Sequence, residues 1–398
     1  MIDLKAARSN AETARAALAR KGAGDAFDRL LEADERWRSL VPRVDELRAR
    51  TKLAGKPTAE QLAELQGVKA ELKALEDELA AAEAERDARA LRVPNLPADD
   101  VPDGSTEDDV REVRRVGEPL DGSSREHPEI GRFDMERAAR MSGARFGYWI
   151  GDTARLALAL YRYALDRLAG KGFLTVLPPV LVREQALIGT GALPSDELNV
   201  YELPADDLYL AGTAEIPLAS LHAGELLDAD ALPLRYVAFS PCFRREAGAA
   251  GRDTRGMIRV HQFNKVEQFA LTRPEDSWAE LEYLLANTEE LVADLGLPFR
   301  VVVLPAGDMS SASAKTYDVE IWFPGQKRYR ETASISNTTD FQARRLGIRM
   351  RGEGGPRPVH LLNGTAVVDR MALAILENFQ GEVPDVLQAY GAPRNVER

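Results

Sequence analysis

The stretch FRREAGAAGRDTRGMIRVHQF, residues 243–263, is the most informative part of the sequence. Its two ends are strand-like, and five arginines stand between them among glycine and alanine residues, so it predicts a hairpin with a long loop. Guanidinium groups bind phosphate oxygens in a bidentate manner, and Phe263 offers an aromatic face for a base. Such a loop can therefore close over a polyanion. On its own, the loop fits a solvated surface hairpin equally well.

The composition is that of a soluble globular protein with room for a large core. The chain has 398 residues, which suggests two or three domains, and a formal charge of −12. Its single cysteine, Cys242, excludes an intramolecular disulfide and cysteine-based zinc or iron–sulfur sites, and the four histidines show no metal-ligand spacing. Neither a signal-like start nor a membrane-length apolar run is found, so we expect a cytoplasmic protein. The net negative charge argues only weakly against nucleic-acid binding, because an acidic protein can still carry local basic patches.

Two stretches near the N-terminus repeat with a period of 3.5 residues, which places one apolar seam on each of two helices. The first seam comprises Leu30, Ala33, Trp37, Leu40, Val44, Leu47 and Thr51. The second comprises Leu65, Val68, Leu72, Leu75, Leu79, Ala82 and Arg86. A helix-breaking turn at 54–58 separates them and predicts an antiparallel coiled-coil hairpin, with helices of about 24 residues and about 35 Å. Pro42 lies inside the first helix and is expected to kink or split it.

The rest of the chain predicts a linker followed by an α+β domain. A Pro-, Gly- and Asp-rich segment follows Pro97, and globular composition begins near Phe133. We therefore expect an arm over 1–97, a linker over 98–132 and a second domain over 133–398. Strand-like runs grouped between helices favour an antiparallel β-sheet flanked by helices, and the common Gly-rich nucleotide fingerprints are not found.

Two further polar stretches carry weaker signals. In 330–337, Glu331 and nearby hydroxyls could hold a hard cation such as Mg²⁺, although an ordinary polar strand is the more usual meaning. Strict alternation would place Glu331 with Ala333, and Thr332 with Ser334 on the opposite face. In 361–370, Arg370 follows an apolar strand, where an arginine is usually a surface ion pair.

Several of these motifs, in this order, resemble the seryl-tRNA synthetase family of class II aminoacyl-tRNA synthetases. The resemblance covers nearly the whole chain, including the N-terminal hairpin and the PNLP junction at 94–97. The motifs that carry it are GTAE at 212–215, the block 243–267 ending HQFNKVE, KTYD at 315–318, 330–345 ending DFQARR, and LNGT at 362–365.

The resemblance implies that ATP and L-serine react to give seryl-adenylate and pyrophosphate. Arg244 would hold the α-phosphate, Arg370 would cover the nucleotide and pair with the γ-phosphate, and these two would be the catalytic residues. Glu246 would contact the adenine, Val260 would pair with it through the backbone, and Phe263 would stack on it. Mg²⁺ would be carried by Glu331 and Ser334. The implied ATP-binding set is Arg244, Arg245, Glu246, Val260, Phe263, Glu331, Thr332, Ala333, Ser334 and Arg370.

The implied serine-binding set is Thr213, Ala214, Glu215, Arg244, Glu267 and Thr365. Glu267 and Thr365 would read the serine hydroxyl, and Thr213 and Glu215 would receive the amino group. Alanine or glycine would leave Glu267 unpaired, and threonine would clash through its extra methyl group. Surface or sheet ion pairs are the alternative interpretation of Glu215 and Glu267, and a core position is that of Phe263.

The resemblance also implies partners. The stretch 172–180, GFLTVLPPV, looks like the dimer-forming motif of the class, so a homodimer with twofold symmetry is expected. The arm would bind tRNA(Ser), and tRNA(Sec) as in the family, through phosphate contacts and shape. Its basic residues are Arg36, Arg38, Arg43, Arg48, Arg50, Lys52, Lys56, Lys69 and Lys73.

The sequence departs from the family pattern in several places. The arm is shorter than the usual bacterial one, Ala333 replaces a frequent serine, the stretch after Asn363 is one residue shorter than the family norm, and Asp369 stands where a small residue or proline is common. Two other functions therefore stay open: a paralogue that serves natural-product biosynthesis or inhibitor resistance, and a non-catalytic homologue. Retention of the charged motif residues speaks against the second of these.

Overall fold

The computed structural model describes residues 1–52, 58–120, 124–247 and 256–397. Residues 54–57 of the predicted turn at 54–58, and the middle of the arginine-rich loop, lie outside the described residues. The chain divides into two compact units, Met1–Leu96 and Pro97–Arg398. No helix among the described residues is long and apolar enough to cross a membrane.

The first unit is helical. Its helices are α1 (Leu4–Ser9), α2 (Ala11–Ala19), α3 (Gly24–Arg50) and α4 (Ala59–Ala90). The predicted hairpin of α3 and α4 is confirmed, with helices of 27 and 32 residues that exceed the predicted length. The two predicted seams meet in one apolar cluster, whose members are Trp37, Leu40, Val44, Leu47, Val68, Leu72, Leu75, Leu79 and Ala82.

Pro42 does not split α3, which is helical from Gly24 to Arg50. Proline removes one N–H from the hydrogen-bond ladder of a helix. Leu40 and Val44 flank Pro42 and are both buried in the seam, so their packing against α4 holds the helix together across the missing bond.

The second unit is built on an eight-stranded sheet. Its strands, in chain order, are β1 (Arg111–Val116), β4 (Leu174–Val176), β9 (Leu234–Phe243), β10 (Gln262–Thr272), β11 (Phe299–Val303), β12 (Lys315–Phe323), β13 (Arg328–Asn337) and β16 (His360–Val368). Their order across the sheet is β1-β11-β12-β13-β16-β10-β9-β4. The pairings are antiparallel except between β4 and β9. The predicted antiparallel sheet with flanking helices is therefore confirmed.

Short strands and helices complete this unit. The strands are β2 (Phe133–Asp134), β3 (Tyr148–Trp149), β5 (Leu181–Val182), β6 (Tyr201–Leu203), β7 (Leu208–Leu210), β8 (Leu226–Leu227), β14 (Arg349–Met350) and β15 (Arg357–Pro358). The helices are α5 (His127–Ile130), α6 (Met135–Ser142), α7 (Asp152–Gly170), α8 (Glu184–Thr190), α9 (Glu215–Ser220), α10 (Ser277–Asp294), α11 (Phe341–Leu346) and α12 (Asp369–Phe379).

The segment 98–132, predicted as a linker, is more structured than its turn-forming residues suggest. It contributes β1, which pairs with β11 at one edge of the sheet, and also α5. The six residues of β1 are all exposed, so the strand lacks the apolar alternation by which sequence analysis recognises strands. Backbone pairing with β11 holds it instead.

The two faces of the sheet differ. On one face, α7, α10 and α12 pack on apolar strand residues in the largest core cluster, which includes Val266, Ala270 and Ile335. On the other face, α9 and α11 cover Phe269 and Leu271 at one end. The remainder of this second face is lined by polar side chains and forms the site described next.

Candidate active site

The polar face of the sheet forms a cavity of about 300 Å³. The cavity collects most of the residues singled out in the sequence, although they lie up to about 160 positions apart. The predicted site residues in its wall are Thr213, Glu215, Arg244, Glu246, Val260, Phe263, Glu267, Glu331, Thr332, Ser334, Thr365 and Arg370. Half of them come from β10, β13 and β16, which are neighbours in the sheet, and the others come from loops and helix starts beside it.

Alternation along β10 explains how this strand serves both core and site. Phe263, Lys265 and Glu267 line the cavity, while Val266 and Ala270 belong to the core beneath it. One strand therefore presents an aromatic ring, an ammonium group and a carboxylate in a row.

A β-bulge changes the alternation in β13. Val319 pairs with Ala333 and Glu320 pairs with Glu331, which leaves Thr332 as an extra residue. The bulge places Glu331 on the cavity side together with Ser334, whereas strict alternation separates them. The expectation that Glu331 shares a face with Ala333 was therefore wrong, because Ala333 is buried in the core.

A buried ion pair forms one end of the cavity. Lys265 pairs with Glu267, and the Lys265 ammonium also donates to the hydroxyl of Thr213 at 2.9 Å. The Glu267 side chain is only 1% exposed. Burial raises the pKa of Glu267, and Lys265 opposes that rise. A carboxylate and an ammonium group therefore lie side by side, both shielded from solvent, at this end of the cavity.

A second carboxylate, that of the partly buried Glu215, lies beside this pair at the start of α9. Its Oε1 accepts hydrogen bonds from Gln342 Nε2 at 2.6 Å and from Asn363 Nδ2 at 3.0 Å. Burial raises the pKa of Glu215, the Gln342 hydrogen bond lowers it, and the nearby Glu267 raises it further. Two acids therefore share this end of the cavity with one lysine.

Arginines also line the cavity wall. Arg244 follows β9, its guanidinium lies 5.3 Å from the centre of the Phe263 ring, and its Nε donates to Gly212 O at 3.3 Å. Glu246 accepts from Arg259 at 2.6 Å. These side chains frame the point where the arginine-rich loop leaves the sheet.

Arg370, the second residue of α12, reaches across the same region. Its Nη2 donates to Ile258 O at 3.3 Å, and its Nη1 donates to the carbonyl of Glu331. The side chain is 25% exposed and its Nη1 lies 3.7 Å from the Glu331 carboxylate. The Arg370 guanidinium thus connects Ile258, at the C-terminal end of the arginine-rich loop, to Glu331 in β13.

Three predicted site residues have side chains elsewhere. Arg245 lies over the ring of Tyr201, 5.7 Å from its centre. Ala214 and Ala333 are each 1% exposed and belong to core clusters. The two alanines are neighbours of cavity residues in sequence, so only their backbones can contribute there.

The donor set around Ser334 suits a hard cation. Ser334 Oγ donates to Asp318 Oδ1 at 2.5 Å, and Glu331 lies on the same side of β13. Burial, followed by the charge of Glu331, raises the pKa of Asp318 well above its usual range. No group of three or more His, Cys, Asp or Glu side chains with metal-ligand geometry exists among the described residues. One carboxylate and one hydroxyl still match Mg²⁺, which takes few protein ligands when phosphates and water supply the others.

Sequence reasoning assigned no role to several cavity residues. Lys265 could have been found, because it lies two positions before Glu267 on one strand and must share its face. Gln342 and Asn363, which support Glu215, come from α11 and β16 and leave no local signal near position 215. Ser310 and Ser313, which also line the cavity, lie outside the strands and helices.

Both units of the chain match known proteins. The family model described as "tRNA synthetase class II core domain (G, H, P, S and T)" matches residues 200–379, and the "Seryl-tRNA synthetase N-terminal domain" matches residues 1–97. A serine--tRNA ligase of Thermobifida fusca is 45% identical over 411 residues, covering 98% of this chain and 97% of the relative.

The chain belongs to the seryl-tRNA synthetase family. Two solved structures of seryl-tRNA synthetases are similar along nearly their whole length. The enzyme of Pyrococcus horikoshii complexed with ATP has a TM-score of 0.94 at 39% identity, covering 100% of this chain and 99% of that one. The cytoplasmic enzyme of Naegleria fowleri in complex with AMP has a TM-score of 0.87 at 32% identity, covering 96% and 94%.

Proposed function

We propose that this chain activates L-serine with ATP and transfers the seryl group to tRNA(Ser), and also to tRNA(Sec). One observation carries the proposal: a single cavity brings together arginines and, near them, two carboxylates with a lysine. The first group suits a triphosphate, and the second suits a small zwitterion with a hydroxyl. Membership of the family supports this function over a specialised paralogue or a non-catalytic homologue.

In the first reaction, a serine carboxylate oxygen attacks the α-phosphorus of ATP, and the bond to the β-phosphate oxygen breaks. The products are seryl-adenylate and pyrophosphate. Arg244 would stabilise the negative charge that builds on the α-phosphate, and Arg370 would hold the γ-phosphate. Phe263 would stack on the adenine, Glu246 would accept from its amino group, and Val260 would pair with it through the backbone.

Mg²⁺, held by Glu331 and Ser334, would neutralise phosphate charge when ATP is bound. The bulge at Thr332 supports this assignment, because it brings both side chains to one face. Asp318 accepts the hydroxyl hydrogen of Ser334, which leaves the oxygen lone pairs directed elsewhere for a cation.

Serine would be recognised at the acidic end of the cavity. Glu215, held by Gln342 and Asn363, would accept from the amino group together with Thr213. Glu267 and Thr365 would bind the hydroxyl. Alanine would leave the desolvated Glu267 without that partner, which costs more than a missing methyl group.

In the second reaction, a hydroxyl of the terminal adenosine of tRNA attacks the seryl carbonyl, which releases AMP. The helical unit would act as the tRNA-binding arm, since its predicted basic residues are exposed wherever the structure describes them; Lys56 lies outside the described residues. Arg36 and Arg48 lie within ion-pairing distance of Glu78 and Glu76 across the hairpin. Binding would thus exchange some intramolecular ion pairs for phosphate contacts.

A homodimer in the cytoplasm is part of the same proposal. Strand β4 is at an edge of the sheet, and large apolar side chains near it are exposed: Leu158, Leu174, Leu177 and Leu181. An unpaired edge flanked by exposed leucines is typical of a surface that a second copy covers. Sedimentation velocity of the purified chain checks the dimer.

Serine-dependent ATP–pyrophosphate exchange tests the adenylation. We expect exchange with serine and almost none with alanine or threonine. Arg244→Ala should reduce kcat by about 10²–10³, and Glu267→Gln should raise KM for serine while leaving KM for ATP nearly unchanged. Arg140→Ala, an exposed arginine on α6 paired with Glu136, is the matched control and should behave as wild type. Exchange at the wild-type rate in Arg244→Ala would remove the assignment.

A further inference from the structure

A buried carboxylate at the start of α12 has no part in the proposed reaction. Asp369 is the first residue of this helix and is 5% exposed. Its Oδ1 accepts from the hydroxyl of Tyr161, and its Oδ2 accepts from the backbone N–H of Asn264 at 2.9 Å. Tyr161 belongs to α7, and Asn264 belongs to β10. One side chain therefore links the beginning of α12 to another helix and to the central sheet.

The position of this link matters because Arg370 comes next in the chain. Arg370 extends over the cavity and donates to the carbonyls of Ile258 and Glu331. Its own contacts include hydrogen bonds to two backbone oxygens, one of them long at 3.3 Å, and an ion pair with the exposed Glu331 carboxylate at 3.7 Å. The backbone from which Arg370 projects is, by contrast, held by two hydrogen bonds of a buried carboxylate.

Burial raises the pKa of Asp369 to about 6, and the hydrogen bonds from Tyr161 and Asn264 oppose that rise. Tyr161 is 5% exposed and its ring lies 5.1 Å from that of Phe239. Removal of the tyrosine hydroxyl alone would leave this packing in place. The chain thus offers a substitution that changes one hydrogen bond and little else.

We propose that Asp369 and Tyr161 are positioning residues that orient Arg370 toward the terminal phosphates of ATP. The proposal rests on the role of Arg370 under the proposed function and extends it. It predicts a larger effect on ligands that carry those phosphates than on ligands that carry only the adenosine part, which Arg370 would also cover. A seryl-adenylate analogue with a sulfamoyl linkage has no β- or γ-phosphate and serves as the discriminating ligand.

The experiment measures the dissociation constants of ATP and of this analogue by titration calorimetry. Asp369→Ala should weaken ATP binding about tenfold (about 1.4 kcal/mol), the effect of losing one charge-assisted hydrogen bond between Arg370 and a terminal phosphate. It should change the affinity for the analogue by less than about twofold. Asp369→Asn should recover part of the loss, because its amide oxygen can still accept from Asn264. Tyr161→Phe should weaken ATP binding by a smaller factor, and its effect should not add to that of Asp369→Ala.

Tyr163→Phe is the matched control. Tyr163 is also a buried tyrosine of α7 that donates to an aspartate, Asp294, at 3.1 Å, but it lies away from the cavity. This variant should bind both ligands as wild type does. Equal weakening of both ligands by Asp369→Ala, or an unchanged ATP affinity in Tyr161→Phe and Asp369→Ala, would overturn the proposal.

Arg370→Ala separates this failure from a failure of the proposed function. If Arg370→Ala weakens ATP binding and the Asp369 variants do not, only the positioning role is refuted. If Arg370→Ala itself leaves ATP affinity unchanged, the assignment of Arg370 falls and the positioning role falls with it. Should Asp369→Ala fail to fold, the conservative pair Tyr161→Phe and Tyr163→Phe still decides between the outcomes.

Discussion

Replacing Lys265 with methionine should destabilise the second unit in a way that depends on pH. Lys265 is 7% exposed and forms an ion pair with Glu267, which is 1% exposed. Methionine keeps most of the side-chain volume but leaves the Glu267 carboxylate buried without its cation. The folded protein then has to protonate Glu267 or tolerate a desolvated charge.

The free energy of protonating Glu267 is the upper limit of the loss in folding stability. Taking up a proton costs about 1.36 kcal/mol for each pH unit above the unfolded pKa of about 4.3, which is about 2 kcal/mol at pH 6 and about 5 kcal/mol at pH 8. The sign follows from linkage. A carboxyl whose folded pKa is raised contributes stability at low pH that is lost as pH rises through the folded pKa. At about 2 °C per kcal/mol, Tm should fall by about 5 °C at pH 6 and about 10 °C at pH 8.

Differential scanning calorimetry of the full chain across this pH range measures the effect. The double variant Lys265→Met/Glu267→Gln removes both charges and should recover most of the stability. Lys327→Met is the surface control: Lys327 is an exposed lysine of the second unit, and its replacement should cost under about 1 kcal/mol at any pH. A Tm deficit in Lys265→Met that does not change with pH would refute the reasoning.

Three further predictions concern other parts of the chain. His127→Ala should raise KM for ATP several-fold, because buried His127 accepts from the N–H of Met257 at 3.0 Å and so fixes this residue of the cavity wall. Kinetics of pyrophosphate exchange measure the effect, and His222→Ala should leave KM for ATP unchanged. Leu40→Ala should lower the free energy of unfolding of the helical unit by about 2–5 kcal/mol and impair tRNA charging. An equal fall in serine-dependent exchange would contradict the separate role of the arm. Glu331→Gln should raise the Mg²⁺ concentration needed for half-maximal exchange without changing KM for serine, and an unchanged Mg²⁺ requirement would count against the cation assignment.

The sequence predicted the helices and the sheet class because their signals are periodic. The 3.5-residue seams of α3 and α4 appear in the structure as one cluster, since a seam of this kind can be buried only against another. The strand at 111–116 was missed for the opposite reason, because all its side chains are exposed. Pro42 is tolerated within α3, where packing on both sides outweighs a local propensity.

The resemblance predicted the residues of the candidate site one by one. It could not predict how the fold brings them to one face and which other residues support them. Whether Glu331 and Ser334 share a face depends on a bulge, which depends on how β12 and β13 pair and not on the motif alone. The support of Glu215 by Gln342, 127 positions away, is likewise a property of the assembled fold. Asp369, a departure from the family pattern, gains its partner Tyr161 only when α7 packs beside α12.

Transfer of labelled serine onto total tRNA, with ATP, Mg²⁺ and the purified chain, tests the central claim most directly. The account predicts efficient serine charging that is lost in Arg244→Ala and retained in Arg140→Ala. Failure of charging together with failure of serine-dependent pyrophosphate exchange would contradict it. Exchange without charging would contradict the tRNA part while leaving the adenylation site in place.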